Sequence, residues 1–402
     1  MTSAEPVQPG MPLVSVVMAN FEAGGKIVHA LRSVLNQTLA DIEVIVSDDC
    51  SCDDSLEHVE RLMAADPRIR LVTAERNGGP ARCRNRALDM ARGRWIAIVD
   101  CDDIVHPERF ERLLAAAAHY DADIVADDLL LFHEDGTAPR LMLGEEVNSS
   151  FEVSAESWVL AGINGTPALG YLKPLVKAER LKSLRYDENL RIGEDYDLVL
   201  RLLLAGAGMV VVPEPFYLYR RHGASISHRL SSADVTAMIE RQQALCIAAA
   251  PLPPALASAF ERRLRVLRQG LAYERLVASI KARRLGEALA LLAGDPTHAG
   301  RLWASFTEGR RRRVPAVALP PSPVLFLGGA GRGAVADPVP PYIPVHATDW
   351  SAPRPRRFWR ALAARRGDGP VQCVPLDEAG RYAAGFIPEA EIAYLDVARV
   401  SS

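Results

Sequence analysis

Cysteine is scarce in this chain, with six in 402 residues, at positions 50, 52, 83, 101, 246 and 373. Cys50-x-Cys52 lacks the partner pair that a zinc site requires, and the remaining spacings form no disulfide framework, so reduced thiols are expected. Long apolar runs are also missing: none approaches the roughly 20 residues that a membrane span needs. The first dozen residues are short, acidic and proline-containing, unlike a secretory signal, and a cytoplasmic location is expected. Charge of one sign is not in excess either. A formal net charge of -3 argues against nucleic acid as a partner. What remains is nearly half hydrophobic, enough for one large core and a smaller appended domain.

The apolar material comes in short β-branched runs that end in acids. Val14-Ser15-Val16-Val17-Met18 and Ile42-Glu43-Val44-Ile45-Val46 flank a helical pattern from Lys26 to Gln37, which makes a βαβ unit. The second run exits into Ser47-Asp48-Asp49-Cys50-Ser51-Cys52-Asp53-Asp54-Ser55, followed by a helix carrying Leu56, Val59 and Leu62. After Ile69-Arg70-Leu71-Val72, the stretch Asn77-Gly78-Gly79-Pro80 opens a helix with Arg82, Arg84 and Arg86, a suitable place for phosphate beside unpaired N–H groups. A further run, Trp95 to Val99, ends in Asp100-Cys101-Asp102-Asp103. Hard oxygen donors at i and i+2, on the carboxyl end of a parallel strand, suit Mg²⁺ or Mn²⁺ carrying a diphosphate. A solvated acidic turn capping a helix near Pro107 is the alternative.

Seven marks in order carry a family resemblance. They are Pro12 to Val17, Ser33 to Thr38, Glu43 to Asp49, Asn77-Gly78-Gly79 with Arg84-Asn85, Asp100 to Asp103, Gly193-Glu194-Asp195-Tyr196-Asp197-Leu198, and Tyr217 to Ser227. Residues 12 to 228 resemble glycosyltransferase family 2, which implies an α/β fold of the GT-A, Rossmann-like type: a mixed sheet flanked by helices. The resemblance further implies an inverting transfer from a nucleotide-diphospho-sugar, with Mn²⁺ or Mg²⁺. It makes Asp102 the main metal ligand, with Asp100 on ribose or metal and His222 completing the set. Donor contacts fall on Ala19, Phe21, Asp49, Arg84, Asp100, Cys101, Arg220 and Arg221. Asp49 corresponds to an acid that accepts a hydrogen bond from the uracil ring, favouring a UDP-hexose. Asp195 corresponds to the general base and Glu194 to a residue orienting it or the acceptor. Around Phe21 this chain reads Ala19-Asn20-Phe21-Glu22, departing from the family's proline-alanine-tyrosine-asparagine pattern.

Residues 12–120 are expected to form the nucleotide-sugar half and 121–230 the acceptor half. Asp123, Asp127 and Asp128 read as acids that either touch sugar hydroxyls or, as the first expectation, solubilise an edge strand. The segment Gly162 to Leu175 resembles bacterial exopolysaccharide glucosyltransferases of the succinoglycan-assembly type, implying glucose as donated sugar and a polyprenyl-diphosphate-linked saccharide as acceptor. The spans and Gln-x-x-Arg-Trp motif of processive relatives are absent, so one sugar per encounter is expected. Residues 1–11 are expected to be disordered, 231–313 helical, 314–323 a proline-rich linker and 324–402 a small α/β region, with a strand at Val324 to Leu327, a glycine-rich turn at Gly328 to Gly333 that lacks the lysine-serine or threonine end of a phosphate loop, and a short helix near Phe358 to Ala364. Basic helices with Arg262, Arg263, Arg265 and Arg268, plus Arg310 to Arg313, suit peripheral contact with anionic lipid or a homodimer interface. Two rival functions remain open: a nucleotidyltransferase, and a sugar- or nucleotide-binding regulator without catalysis.

Overall fold

A computed structural model describes residues 11–133, 140–144, 146–163, 165–221, 231–295, 298–300 and 302, with three short strands beyond them. The amino-terminal half follows the β-branched runs. It contains β1 (Val14–Asn20), α1 (Lys26–Leu35), β2 (Ile42–Asp48), α2 (Ser55–Ala65), β3 (Ile69–Thr73), α3 (Pro80–Leu88) and β4 (Trp95–Ile98). β1 pairs in parallel with β2 and β4, and β2 with β3. All seven residues of β2 are buried, because helices cover the sheet; its apolar residues Ile42, Val44, Ile45 and Val46 accordingly do not alternate with exposed ones. In α1 the buried residues are Ile27, Ala30, Leu31 and Val34, one helical face laid on that sheet. Ile27, Leu31 and Val34 each contribute about 1.5–3 kcal/mol on full burial.

The second half adds β5 (Ile104–Val105), α4 (Arg109–Tyr120), β6 (Ile124–His133), β7 (Arg140–Leu141), β8 (Phe151–Glu152), α5 (Ala155–Leu160), β9 (Leu175–Lys177), α6 (Glu194–Leu204) and β10 (Met209–Arg221). The ten strands form one mixed sheet in the order β3-β2-β1-β4-β9-β6-β10-β5, with β7 beside β6 and β8 beside β10. Short β9 is antiparallel to both β4 and β6 and joins the two halves.

β6 is therefore interior, which corrects the edge-strand reading of its acids. Asp127 is fully buried and bound through both oxygens by Arg109, at 2.8–3.1 Å. Asp128 accepts the backbone N–H groups of Leu129 and Leu143. Asp123 takes Lys177 and Arg180, at 3.0 and 2.7 Å. Burying a carboxylate is expensive unless it is paired, and each of these acids has its partner.

β10 breaks register against β6 between Val212 and Tyr217, where Pro213 and Pro215 remove ladder donors. Beyond that irregularity it also pairs antiparallel with β5, Tyr217 opposite Val105, so its second half runs beside the turn at Asp100–Asp103. Gln37 fastens the same region: its amide donates to the carbonyl of His106 and accepts from the N–H of Phe110.

Three helices follow among the described residues: α7 (Ser232–Ala248), α8 (Pro254–Lys281) and α9 (Leu285–Gly294). Further on, β11 (Val324–Gly328) lies between β12 (Tyr342–Pro344) and β13 (Gln372–Pro375) in a parallel three-stranded sheet. The strand expected at 324–327 is thus present. Residues 1–10, the linker 314–323, the run Arg310 to Arg313, the glycines 329–333 and the helix expected at 358–364 lie outside the described residues. Among the described residues, no helix is long and apolar enough to cross a membrane, and Cys50, Cys52, Cys83, Cys101 and Cys246 are free thiols.

Candidate active site

The carboxyl ends of the first strands converge on one cleft. Asp48 is structural, as its buried position demands: it accepts from the Asn20 amide at 2.6 Å and from the Ser51 hydroxyl at 2.6 Å. Asp49 beside it is also buried. One oxygen accepts the N–H groups of Gly78 and Gly79, at 2.9 and 2.7 Å. The other, Oδ1, has no hydrogen-bond partner, the nearest cation being Arg86 at 3.6 Å. A buried acceptor left unpaired is costly, and a ligand N–H would satisfy it. Gly79 sits at φ +86°, a backbone that glycine adopts without strain, and this lets both N–H groups face Asp49. Phe21, at the exit of β1, is 47% exposed, so its ring is free to stack rather than part of the core. Ala19 is half-buried at the same strand end, paired with Ser47.

Helix α3 supplies more than a basic face. Arg86 donates to the Ser47 hydroxyl at 2.9 Å and the Asp48 carbonyl at 2.7 Å, so it braces the end of β2 instead of being merely solvated. Arg82 pairs with Glu188 at 2.9 Å. Asn85 accepts the N–H of Tyr186 and donates to its carbonyl, pinning the approach to α6. Arg84 is 5% exposed and reaches three acids: Glu194 at 2.7 Å, Asp100 at 3.0 Å and Asp195 at 3.5 Å. It is thus at the site, as expected, but its guanidinium faces carboxylates.

Lys173, two residues before β9, was not among the expected site residues. Its ammonium lies 2.8 Å from Asp100 and 3.1 Å from Asp195, and its side chain is 6% exposed. Burial would raise the pKa of Asp100, yet Lys173 and Arg84 hold it well below the usual carboxylate range. Burial likewise opposes ionisation of Asp195, and Arg84 and Lys173 outweigh it, leaving its pKa lowered. Glu194 goes the other way: burial and the neighbouring Asp195 charge raise it, with Arg84 offsetting only part. The lysine itself is held protonated by Asp100 and Asp195 against the cost of burial.

The turn after β4 has its own brace. Tyr217 donates to Asp103 at 2.7 Å, and its oxygen accepts the N–H of Asp100 at 3.1 Å. Arg220 donates its backbone N–H to Asp103 at 2.7 Å and its Nε to the carbonyl of Asp102 at 2.8 Å. Asp103 is consequently the anchor of this turn rather than a helix cap. Burial, reinforced by the charges of Asp102 and Asp100, pushes its pKa well up. Arg220, expected on the donor, holds the turn; Arg221 lies over the Tyr171 ring at 5.6 Å. Cys101, expected among the donor contacts, turns its thiol into the core, where burial raises its pKa, so only its backbone borders the cleft.

For a divalent ion the donor set is small. Among the described residues, no three His, Cys, Asp or Glu side chains are grouped to hold a metal. Both oxygens of Asp100 face cations, so its expected place as a ligand is taken by Arg84 and Lys173. Asp102 is half-buried at the same turn, and His222 lies outside the described residues. One carboxylate at a diphosphate site still fits Mg²⁺ or Mn²⁺, which keep waters and take phosphate oxygens as ligands.

The helices after the sheet pack against the start of α6. Gly193, at φ +90°, starts α6, and a Cβ there would lie 2.9 Å from Met238 of α7. Arg191 pairs with Asp234, and Arg241 with Asp197 at 2.7 Å. Arg263 of α8 lies 3.9 Å above the Tyr196 ring, which stacks on Trp158 at 5.8 Å. Tyr196, the residue next to Asp195, is thus contacted by both Arg263 and Trp158.

Comparison with known proteins agrees with this architecture. The profile described as glycosyl transferase family 2 matches residues 15–173. The chain is 35% identical to the succinoglycan biosynthesis protein ExoO of Rhizobium meliloti (strain 1021), over 71% of this chain and 82% of that protein. It is 30% identical to succinoglycan biosynthesis protein ExoU of the same organism, over 61% of this chain and 71% of that one. Among solved structures, S. aureus TarS 1-349 in complex with UDP-GlcNAc superposes with a TM-score of 0.54 at 21% identity, covering 69% of this chain and 79% of that one. Fold, acidic strand ends and relatives lead to one conclusion: this chain belongs to glycosyltransferase family 2.

Proposed function

We propose that the chain is an inverting, metal-dependent, non-processive hexosyltransferase that moves glucose from UDP-glucose to a lipid-linked saccharide in exopolysaccharide assembly. The observation that carries this reading is the bridge of Lys173 between Asp100 and Asp195. It puts the acid of the turn after β4 and the acid of α6 within one side chain of each other, so that a base and a departing diphosphate could border one sugar. Asp49 Oδ1 would accept the ring N–H of uracil, and a base lacking that donor would leave the acceptor unpaired. Phe21 would stack on the ring.

Asp195, ionised because Arg84 and Lys173 favour its charge, takes the proton of the acceptor hydroxyl as the oxygen attacks the anomeric carbon. Glu194, with its raised pKa, orients the acceptor beside it. Asp102 would hold Mg²⁺ or Mn²⁺ with the donor's phosphates; the ion supplies Lewis-acid stabilisation of charge on the departing diphosphate. Glucose and a lipid-linked acceptor are supported by the two succinoglycan relatives. Contact with the inner membrane face is supported by exposed Ile280, Leu285 and Leu289 beside exposed Lys281, Arg283 and Arg284 at the α8–α9 turn.

Thermal-shift binding of UDP, GDP, dTDP and CDP, each with Mn²⁺ or EDTA, tests the donor assignment. A ligand at 100 times its Kd adds about 2.7 kcal/mol to the folded state. A Mn²⁺-dependent response to UDP that Asp102→Asn loses is expected, followed by turnover of UDP-glucose to the inverted anomer by NMR. A flat response to all four nucleotides would overturn the reading.

A further inference from the structure

We propose that Lys173 is a positioning residue for the transfer: its ammonium fixes the direction in which the base Asp195 presents its carboxylate. This rests on Asp195 being the base. The geometry is specific. Asp195 Oδ2 is held by Lys173 at 3.1 Å, while Oδ1 lies 3.5 Å from Arg84. Asp100 shares the same two cations, Oδ2 with Lys173 at 2.8 Å and Oδ1 with Arg84 at 3.0 Å. Two carboxylates so near one another repel, and without the lysine between them Asp195 would rotate away from Asp100 and from the diphosphate end of the cleft.

The lysine cannot itself wander. Its backbone carbonyl accepts from Arg109, which is fully buried, bound to Asp127 and lying 4.9 Å over the Tyr217 ring. Tyr217 in turn holds Asp103 and the N–H of Asp100. A chain of buried contacts therefore runs from the interior of β6 to the base and to the donor turn, with Lys173 as its last link. Leu172 and Leu175 on either side are buried, so the ammonium is presented from a rigid segment. A point charge with three rotatable donors suits two carboxylates approaching from different elements.

Misplacing a catalytic group by about 1 Å can cost about 10²-fold in rate. Lys173→Met is expected to lower kcat by that order while KM for the nucleotide-sugar moves less than about threefold, because the nucleotide contacts at Asp49 are untouched. Lys173→Arg keeps the charge and is expected to recover part of the loss. In Lys173→Ala, added ethylammonium is expected to restore kcat in a saturable way, a response that a purely packing role would not give. Should Lys173→Met fail to fold, the arginine variant and the ammonium rescue carry the test. Asp195→Asn is assayed alongside. Full kcat in both folded Lys173→Met and Lys173→Ala, with Asp195→Asn inactive, overturns the role of Lys173 alone. Full kcat in Asp195→Asn overturns the base and the lysine's role with it.

Discussion

Two clusters of buried charge lie in this sheet and differ in stoichiometry. Arg109 and Asp127 face each other one to one, both fully buried, and among the described residues no other charged side chain pairs with either. Around Arg84 and Lys173 there are three carboxylates, Asp100, Glu194 and Asp195, with side chains still 10–22% exposed. The balanced pair can be sealed off because each charge is cancelled where it stands. The acid-rich cluster opens to the cleft and spreads its surplus over unequal pKa values, Asp195 down and Glu194 up.

The contrast can be broken from either side. Asp195→Asn is expected to lower turnover by about 10²–10⁴-fold while the urea midpoint hardly moves, since the remaining acids still pair both cations; steady-state kinetics and unfolding on the same sample decide it. Arg109→Met should act in the opposite manner, costing about 3–5 kcal/mol of unfolding free energy because Asp127 is left charged and alone. Adding Asp127→Leu to it should return most of that loss. Tyr217→Phe removes a hydroxyl that serves both Asp103 and the Asp100 N–H, and about 1–3 kcal/mol is expected by urea unfolding. The smallest effect concerns Asp234, whose pKa the Arg191 pair and the Ser231 cap lower to about 2. Its folded value lies below the unfolded one, so its contribution is complete above about pH 5 and fades as pH falls towards 2. The Tm difference between wild type and Asp234→Asn should shrink over that window.

Strand runs such as Ile42–Val46 were legible because burial on both faces leaves a continuous β-branched signature. The acids at Asp49, Asp102 and Asp195 were legible because polar groups at strand exits and helix starts stand out against that background. Lys173 was not, since one lysine in Leu172-Lys173-Pro174-Leu175 carries no periodicity; its meaning comes from β9 slotting between β4 and β6. Asp127 was misplaced for a related reason: only the sheet order turns an apparent edge into the interior. Tyr217 depended on the register break at Pro213–Pro215: the prolines mark an irregularity, but only the pairing with β5 and β6 shows where the strand beyond it lies. One signal was available for Arg84, an arginine on the helix behind the glycine loop, but its partners arrive from residues 100 and 194–195, far along the chain.

The stack of Arg263 on Tyr196 on Trp158 has a practical consequence for anyone shortening this enzyme. The stretch matched by the family ends at residue 173, and the sheet ends at Arg221. A fragment cut there would keep Asp49, Asp100, Asp102 and Asp195 and lose Arg263, which leaves the Tyr196 ring beside Asp195 without its cation.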